Sequence, residues 1–131
     1  MGGRPRLGEP EGAIVDNPDE DQGASMLYVT CGSADQAREI GRRVVEEKIA
    51  ACANIIAGMK SIYRWEGRVE EGDEVVLILK TRALMVPELS ARVQELHSFD
   101  VPCVVEIPLG RGNPDYFAWI AAETVRSGPG E

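Results

Sequence analysis

Apolar and polar positions along this chain fall into stretches of alternating strand-like and helix-like period. Residues 26–31 (MLYVTC) form a short, mostly apolar run that predicts a first strand. Ser33 and Gln36 then stand at capping-box spacing, with Asp35 near the positive end of the helix to come. Ala37, Ile40, Val44 and Val45 share one helical face, and Arg38, Arg42, Arg43, Glu46 and Glu47 occupy the rest. Residues 49–65 (IAACANIIAGMKSIYRW) run from the end of that helix into a long apolar strand, and small residues at 50–53 let one end and the other begin in little space. Tyr63 and Trp65, two positions apart, lie on one face of it. Residues 66–73, with two glycines and several acids, read as a hairpin turn with an exposed tip. Residues 74–81 (EVVLILKT) are apolar on both faces and predict a central strand. Pro87 suits the first turn of a second helix whose buried side carries Leu89, Val93 and Leu96. Residues 100–108 (DVPCVVEIP) predict a fourth strand with prolines near both ends. Asn113 and Pro114 open a third helix, with Phe117, Ile120, Ala121 and Thr124 as its inward stripe.

The order β-α-β-β-α-β-α specifies an α+β fold of ferredoxin-like βαββαβ type plus a C-terminal helix. Two helices cover one face of such a sheet. The other face is bare, and strands apolar on both sides leave it in need of a partner. A strand as long as the second one cannot be covered by a domain of this size. Part of it should project and pair with another copy of the chain.

Composition narrows the class. At 131 residues the chain makes one domain, spanning residues 26–126, and no apolar run approaches the roughly 20 residues of a membrane-spanning helix. Residues 1–25 are rich in Gly, Pro and acids and lack an apolar segment, so they predict a disordered tail rather than a signal peptide; residues 127–131 read as a second, flexible tail. Half of the net charge of −8 sits in the first tail, where six acids face Arg4 and Arg6. The mildly acidic remainder is a poor partner for nucleic acid and is compatible with cations or small ligands. Cys31, Cys52 and Cys103 are odd in number and show no CxxC spacing, so neither a disulfide framework nor a structural zinc site is expected; a reducing cytoplasm is the default compartment.

Few residues offer chemistry. His97 is the only histidine, at the end of the second helix and near Asp100. It serves either as a metal ligand through a neutral nitrogen or as a cap on helix carbonyls. Cys31, where a strand meets a helix, is either an accessible thiol or a small apolar filler beside Gly32. Cys52 reads as structural and Cys103 as core. Lys80 ends a central strand, where it holds an anion in a cleft or simply reaches water. Tyr63 and Trp65 read as interface residues. No Gly-rich phosphate loop or nucleophile elbow is present, so neither an enzyme nor an organic cofactor is expected.

Five segments in order resemble one family. They are residues 49–52 (IAAC), residues 61–67 (S-x-Y-x-W-x-G), residues 74–81 (E-x-x-L-x-x-K-T), residues 96–102 (LHSFDVP) and residues 116–120 (Y-x-x-W-I). Together they are similar to the CutA-type divalent-cation tolerance proteins over about residues 27–122. The resemblance implies a ferredoxin-like homotrimer with an architecture like that of the PII signalling proteins, and a link to copper and other divalent metal ions. It implies Cys31 and His97 as metal ligands, while Leu96 stands where the family pattern has another His; Asp100, beside His97, is a candidate for the shell outside them. Ser98, Phe99, Asp100 and Cys103 also depart from that pattern. Two rival readings follow. One is a PII-like module holding a small anion or nucleotide in a subunit cleft through Lys80 and Arg64. The other is a trimeric scaffold for an unspecified membrane or protein partner.

Overall fold

The computed structural model describes residues 23–125. Both expected tails therefore lie outside the described residues, apart from positions 23–25. Along the chain come β1 (Ala24–Cys31), α1 (Ala34–Glu46), β2 (Cys52–Trp65), β3 (Arg68–Arg82), a 3-10 turn (Ala83–Met85), α2 (Val86–Leu96), β4 (Val104–Pro108) and α3 (Pro114–Ala122). The strands form one antiparallel sheet in the order β2-β3-β1-β4, the ferredoxin-like arrangement that the element order predicted. The central place of β3 accounts for its unbroken VVLIL run.

The core lies between the sheet and the first two helices. Leu27, Val29 and Cys31 of β1 and Leu77 and Leu79 of β3 meet Ala37, Ile40 and Val44 of α1 and Leu89 and Val93 of α2. One contact escaped the periodicity. A Cβ on Gly41 would sit 2.8 Å from that of Ala53, so glycine is what lets α1 approach β2. Arg92 of α2 grips Glu47 at the end of α1 through two nitrogens, at 3.0 and 2.8 Å, and holds that carboxyl below the usual carboxylate range.

The ends of α1 are set by local chemistry. Ser33 Oγ accepts the Gln36 N–H at 3.1 Å, as a cap should. Gln36 does not close the box; its Oε1 accepts the Ser98 N–H from the α2–β4 loop at 3.0 Å. At the other end Lys48 takes φ 66°, with its N–H on the Val45 carbonyl and that of Ile49 on the Val44 carbonyl. These are the bonds of a Schellman ending, with lysine where glycine is usual.

Several boundaries differ from expectation. β1 begins at Ala24, because Ala24 and Ser25 pair with Arg82 and Thr81 on the long β3. The hairpin turn is only Glu66-Gly67, at φ 49° and 79°, as a tight turn between twisted strands requires; residues 68–73 continue as strand. β4 starts at Val104, and Cys103, expected in the core, is exposed. Ala121 also faces solvent, leaving Ile120 and Thr124 as the buried residues at the end of α3.

The β2–β3 hairpin outruns the sheet. Residues 75–82 of β3 pair with β1, whereas residues 68–74 pair with β2 alone. A bulge marks the boundary, where Ala57 and Gly58, the latter at φ 88°, stand opposite Val75. Side chains alternate along a strand, so the extra residue changes which parity faces which way. Cys52, Asn54 and Ile56 share a face before the bulge; Met59, Ser61, Tyr63 and Trp65 continue it afterwards.

Candidate functional site

Two places gather the residues that carry chemistry, and a third gathers exposed apolar surface. The first is the corner where β1 ends, α1 begins and α2 stops. His97 terminates α2, its backbone N–H still on the Val93 carbonyl while its own ψ of 145° is extended. That turn carries the imidazole across to β1, where Nε2 donates to the Thr30 carbonyl at 2.8 Å. Nδ1 accepts the Phe99 N–H at 3.1 Å, which fixes the neutral ring with its proton on Nε2. The Phe99 ring lies against the imidazole, centroids 4.8 Å apart, and over Gly32. His97 thus joins α2 to β1 rather than capping its own helix.

Cys31 follows Thr30 directly and is fully buried. Burial pushes its thiol up to about 11, with the Glu74 carboxylate adding to the effect. Asp100 lies exposed in the loop beyond Phe99. A thiolate and an imidazole are donors suited to copper. Here the thiol holds its proton at neutral pH and both imidazole nitrogens have partners. Among the described residues no three His, Cys, Asp or Glu side chains are grouped to hold a metal ion.

The ribbon of residues 59–65 and 68–74 is the exposed apolar surface. Tyr63 and Trp65 stand side by side on one face, 47% and 60% exposed. Ile62 at 70% and Val69 at 66% are barer still. The Lys60–Asp73 cross-strand pair and the Ser61 hydroxyl on the Glu74 carboxylate hold the register. Arg64 pairs with Val69 near the tip, whereas Lys80 pairs with Cys52 at the far end, on the opposite face. The two lie roughly 35 Å apart along the strand. A cleft using both would have to take them from different subunits.

The second chemical cluster lies under α3, at the end of the sheet away from the ribbon. Asn113 and Pro114 start α3 as the sequence predicted, with Asn113 Oδ1 accepting the Asp115 N–H at 2.9 Å. Arg82 clasps the helix end, its Nε on Thr124 Oγ1 and its Nη2 on the Thr124 carbonyl, both at 3.0 Å. This lays Tyr116 over the cross-strand pair Cys52–Lys80. Lys80 Nζ donates to Tyr116 Oη at 3.3 Å, and Cys52 Sγ lies 3.8 Å from the same oxygen. Tyr116 stacks on Trp119 at 5.6 Å. Nothing in the sequence foreshadows this trio, because its members are separated by 28 and 36 positions and meet only through strand register and helix docking.

Comparison with known proteins agrees with the geometry. The family described as CutA1 divalent ion tolerance protein matches residues 25–123. A divalent-cation tolerance protein CutA of Thermus thermophilus is 41% identical over 99 residues, covering 76% of this chain and 96% of that protein. Mouse protein CutA is 42% identical over 96 residues, covering 73% of this chain but only 54% of the mouse protein, so the chain spans about half of that relative. The crystal structure of CutA1 from Oryza sativa superposes with a TM-score of 0.77 at 34% identity, covering 83% of this chain and all of that one.

Proposed function

The chain belongs to the CutA1 divalent ion tolerance family, and on that footing we propose that it is a homotrimer that binds divalent cations, copper first, and catalyses no reaction. The projecting ribbon is the observation that carries the assembly. An isolated two-stranded hairpin is marginal in water, yet this one bears Ile62, Tyr63, Trp65 and Val69 in the open. The sheet also has two unlike edges, the long β2 and the short β4. Unlike edges joined head to tail close into a ring when the rotation between copies closes, and three copies in a PII-like arrangement meet that requirement. Tyr63 and Trp65 then sit between subunits.

Copper is held in this proposal by Cys31 and His97 Nδ1, with the Nε2–Thr30 bond orienting the imidazole and Asp100 adding negative charge outside the pair. Binding requires the Phe99 N–H to leave His97 Nδ1 and the Cys31 proton to be displaced, so the loop of residues 98–103 opens as the ion enters. A partner subunit or water completes the coordination that this chain leaves short. Three free thiols suit a reducing compartment, and we place the trimer in the cytoplasm.

Calorimetric copper titration of the purified protein beside Cys31→Ser and His97→Ala tests this reading, with mass and melting temperature recorded for each. Stoichiometric binding that both variants abolish while remaining assembled is the expected result. Weak binding, or binding indifferent to both substitutions, contradicts it.

A further inference from the structure

We propose that residues 98–102 form a lid on His97 Nδ1, latched by Gln36 of α1 and seated by Phe99, which gates the entry of copper to the Cys31–His97 pair. The inference rests on the assignment of that pair as the metal site and concerns what controls access to it. The two imidazole nitrogens have partners of unequal permanence. Nε2 donates to the carbonyl of Thr30, a β1 residue paired with Val76 of the central β3. Nδ1 accepts from Phe99, in the loop that joins α2 to β4. Ser98, Phe99, Asp100 and Val101 are all exposed, Val101 at 91%, so the apolar hold on this stretch is the Phe99 ring. That ring lies against the imidazole, centroids 4.8 Å apart, and reaches Gly32.

Gln36 supplies the latch. Its backbone N–H goes to the Ser33 cap, and its side chain reaches another element, Oε1 accepting the Ser98 N–H at 3.0 Å. The next amide along, that of Phe99, occupies Nδ1 at 3.1 Å. Two adjacent amides thus tie the loop to α1 and to the imidazole, and releasing the first loosens the second. A segment held by few buried apolar contacts opens locally while the fold beneath it stays shut. Beneath this one lies the main core, with Val29, Cys31 and Ala37 completely buried. When the loop lifts, Nδ1 loses its donor and Phe99 leaves the ring, while the Nε2 bond keeps the imidazole oriented. Opening therefore uncovers a donor nitrogen that is already aimed. Gly32 sets how firmly the lid seats. A Cβ there would meet Phe99 Cζ at 3.5 Å, an ordinary contact, and Gly32 stands outside the left-handed backbone region, so alanine fits and adds to the seat of the ring.

The test is amide hydrogen exchange of the full, metal-free chain by NMR. The Phe99 amide is the reporter, because changes at Gln36 leave its own acceptor in place. Gln36→Ala should speed Phe99 exchange roughly fivefold, the worth of one hydrogen bond. Gln36→Glu, which still accepts from Ser98, should return the wild-type rate. Gly32→Ala should slow it about twofold through the added methyl contact. The amides of Val29 and Val44 should keep their rates throughout, which separates lid opening from loss of the fold. Stopped-flow mixing with cupric chloride, followed by the thiolate–copper absorption, should rank the variants in the same order. A Phe99 rate indifferent to both Gln36→Ala and Gly32→Ala overturns the proposal. So does a Phe99 rate that rises only together with those of Val29 and Val44, or copper entry that ignores the exchange ranking. If exchange responds as described and no copper is taken up, the site assignment fails and the lid on His97 stands.

Discussion

The hairpin of β2 and β3 crosses two environments, one covered by helices and one open. Under α1 and α2, Leu77 and Leu79 of β3 are completely buried. A few residues earlier on the same strand, Val69 is 66% exposed, and on the neighbouring strand Trp65 is 60% exposed. Both halves carry large apolar side chains, though the ribbon half mixes them with charged ones, and a bulge at residues 57–58 separates the two. The lesson is that apolar strand residues need a cover without saying who supplies it. In one half the chain covers itself. In the other it leaves Ile62, Tyr63, Trp65 and Val69 exposed.

Substitution should separate the two halves. Leu77→Ala, in the self-covered half, should cost about 3–4 kcal/mol whatever the protein concentration, read as a denaturation midpoint shift. Ile62→Ala, in the ribbon, should cost the separated chain no more than about 0.5 kcal/mol. Equal losses at the two sites would erase the distinction. A smaller effect probes the covered half alone. The Cys31 thiol is raised from 9.0 to about 11 in the fold, so the folded state holds its proton more tightly than the unfolded one. That contribution is complete below about pH 9 and is lost as pH rises through about 11. Cys31→Ala should flatten the decline in stability across that window, measured by denaturation at fixed pH steps. A flat wild-type profile there would show that the thiol is not shielded as its burial implies. In the covered half too, Lys48→Gly should stabilise by about 1 kcal/mol, because glycine takes the left-handed conformation at the end of α1 without strain. A lower melting temperature would mean that the lysine side chain contributes more than its backbone strain removes.

Much of this was legible in advance, for identifiable reasons. Helical periodicity located α1 and its inward residues because Ala37, Ile40 and Val44 repeat at the spacing of one face. The VVLIL run marked β3 as central because only a doubly covered strand tolerates it. The tight turn was missed because Glu66 occupies a conformation that favours glycine or asparagine, so residues 66–73 looked like a loop. Cys103 was misplaced because a short apolar run beside proline reads the same whether it is interior or at an exposed strand entry. Gly41 was invisible to periodicity, since its role is the absence of a side chain at a close approach. The candidate ligands Cys31 and His97 were legible as residue types. What joins their elements, an imidazole bonded to the Thr30 carbonyl, depends on long-range packing. The trio of Cys52, Lys80 and Tyr116 lay further out of reach, because strand register decides which residues become neighbours.

The claim that matters most is that the ribbon is completed by other copies of this chain, and mass in solution tests it directly. Light scattering of the protein across a dilution series, beside Trp65→Ala, should give three times the 14.3 kDa chain mass for the wild type. The variant should lose mass on dilution while its monomer keeps the fold. A wild-type mass of one chain at every concentration would contradict the account, and so would a variant with unaltered mass and melting temperature.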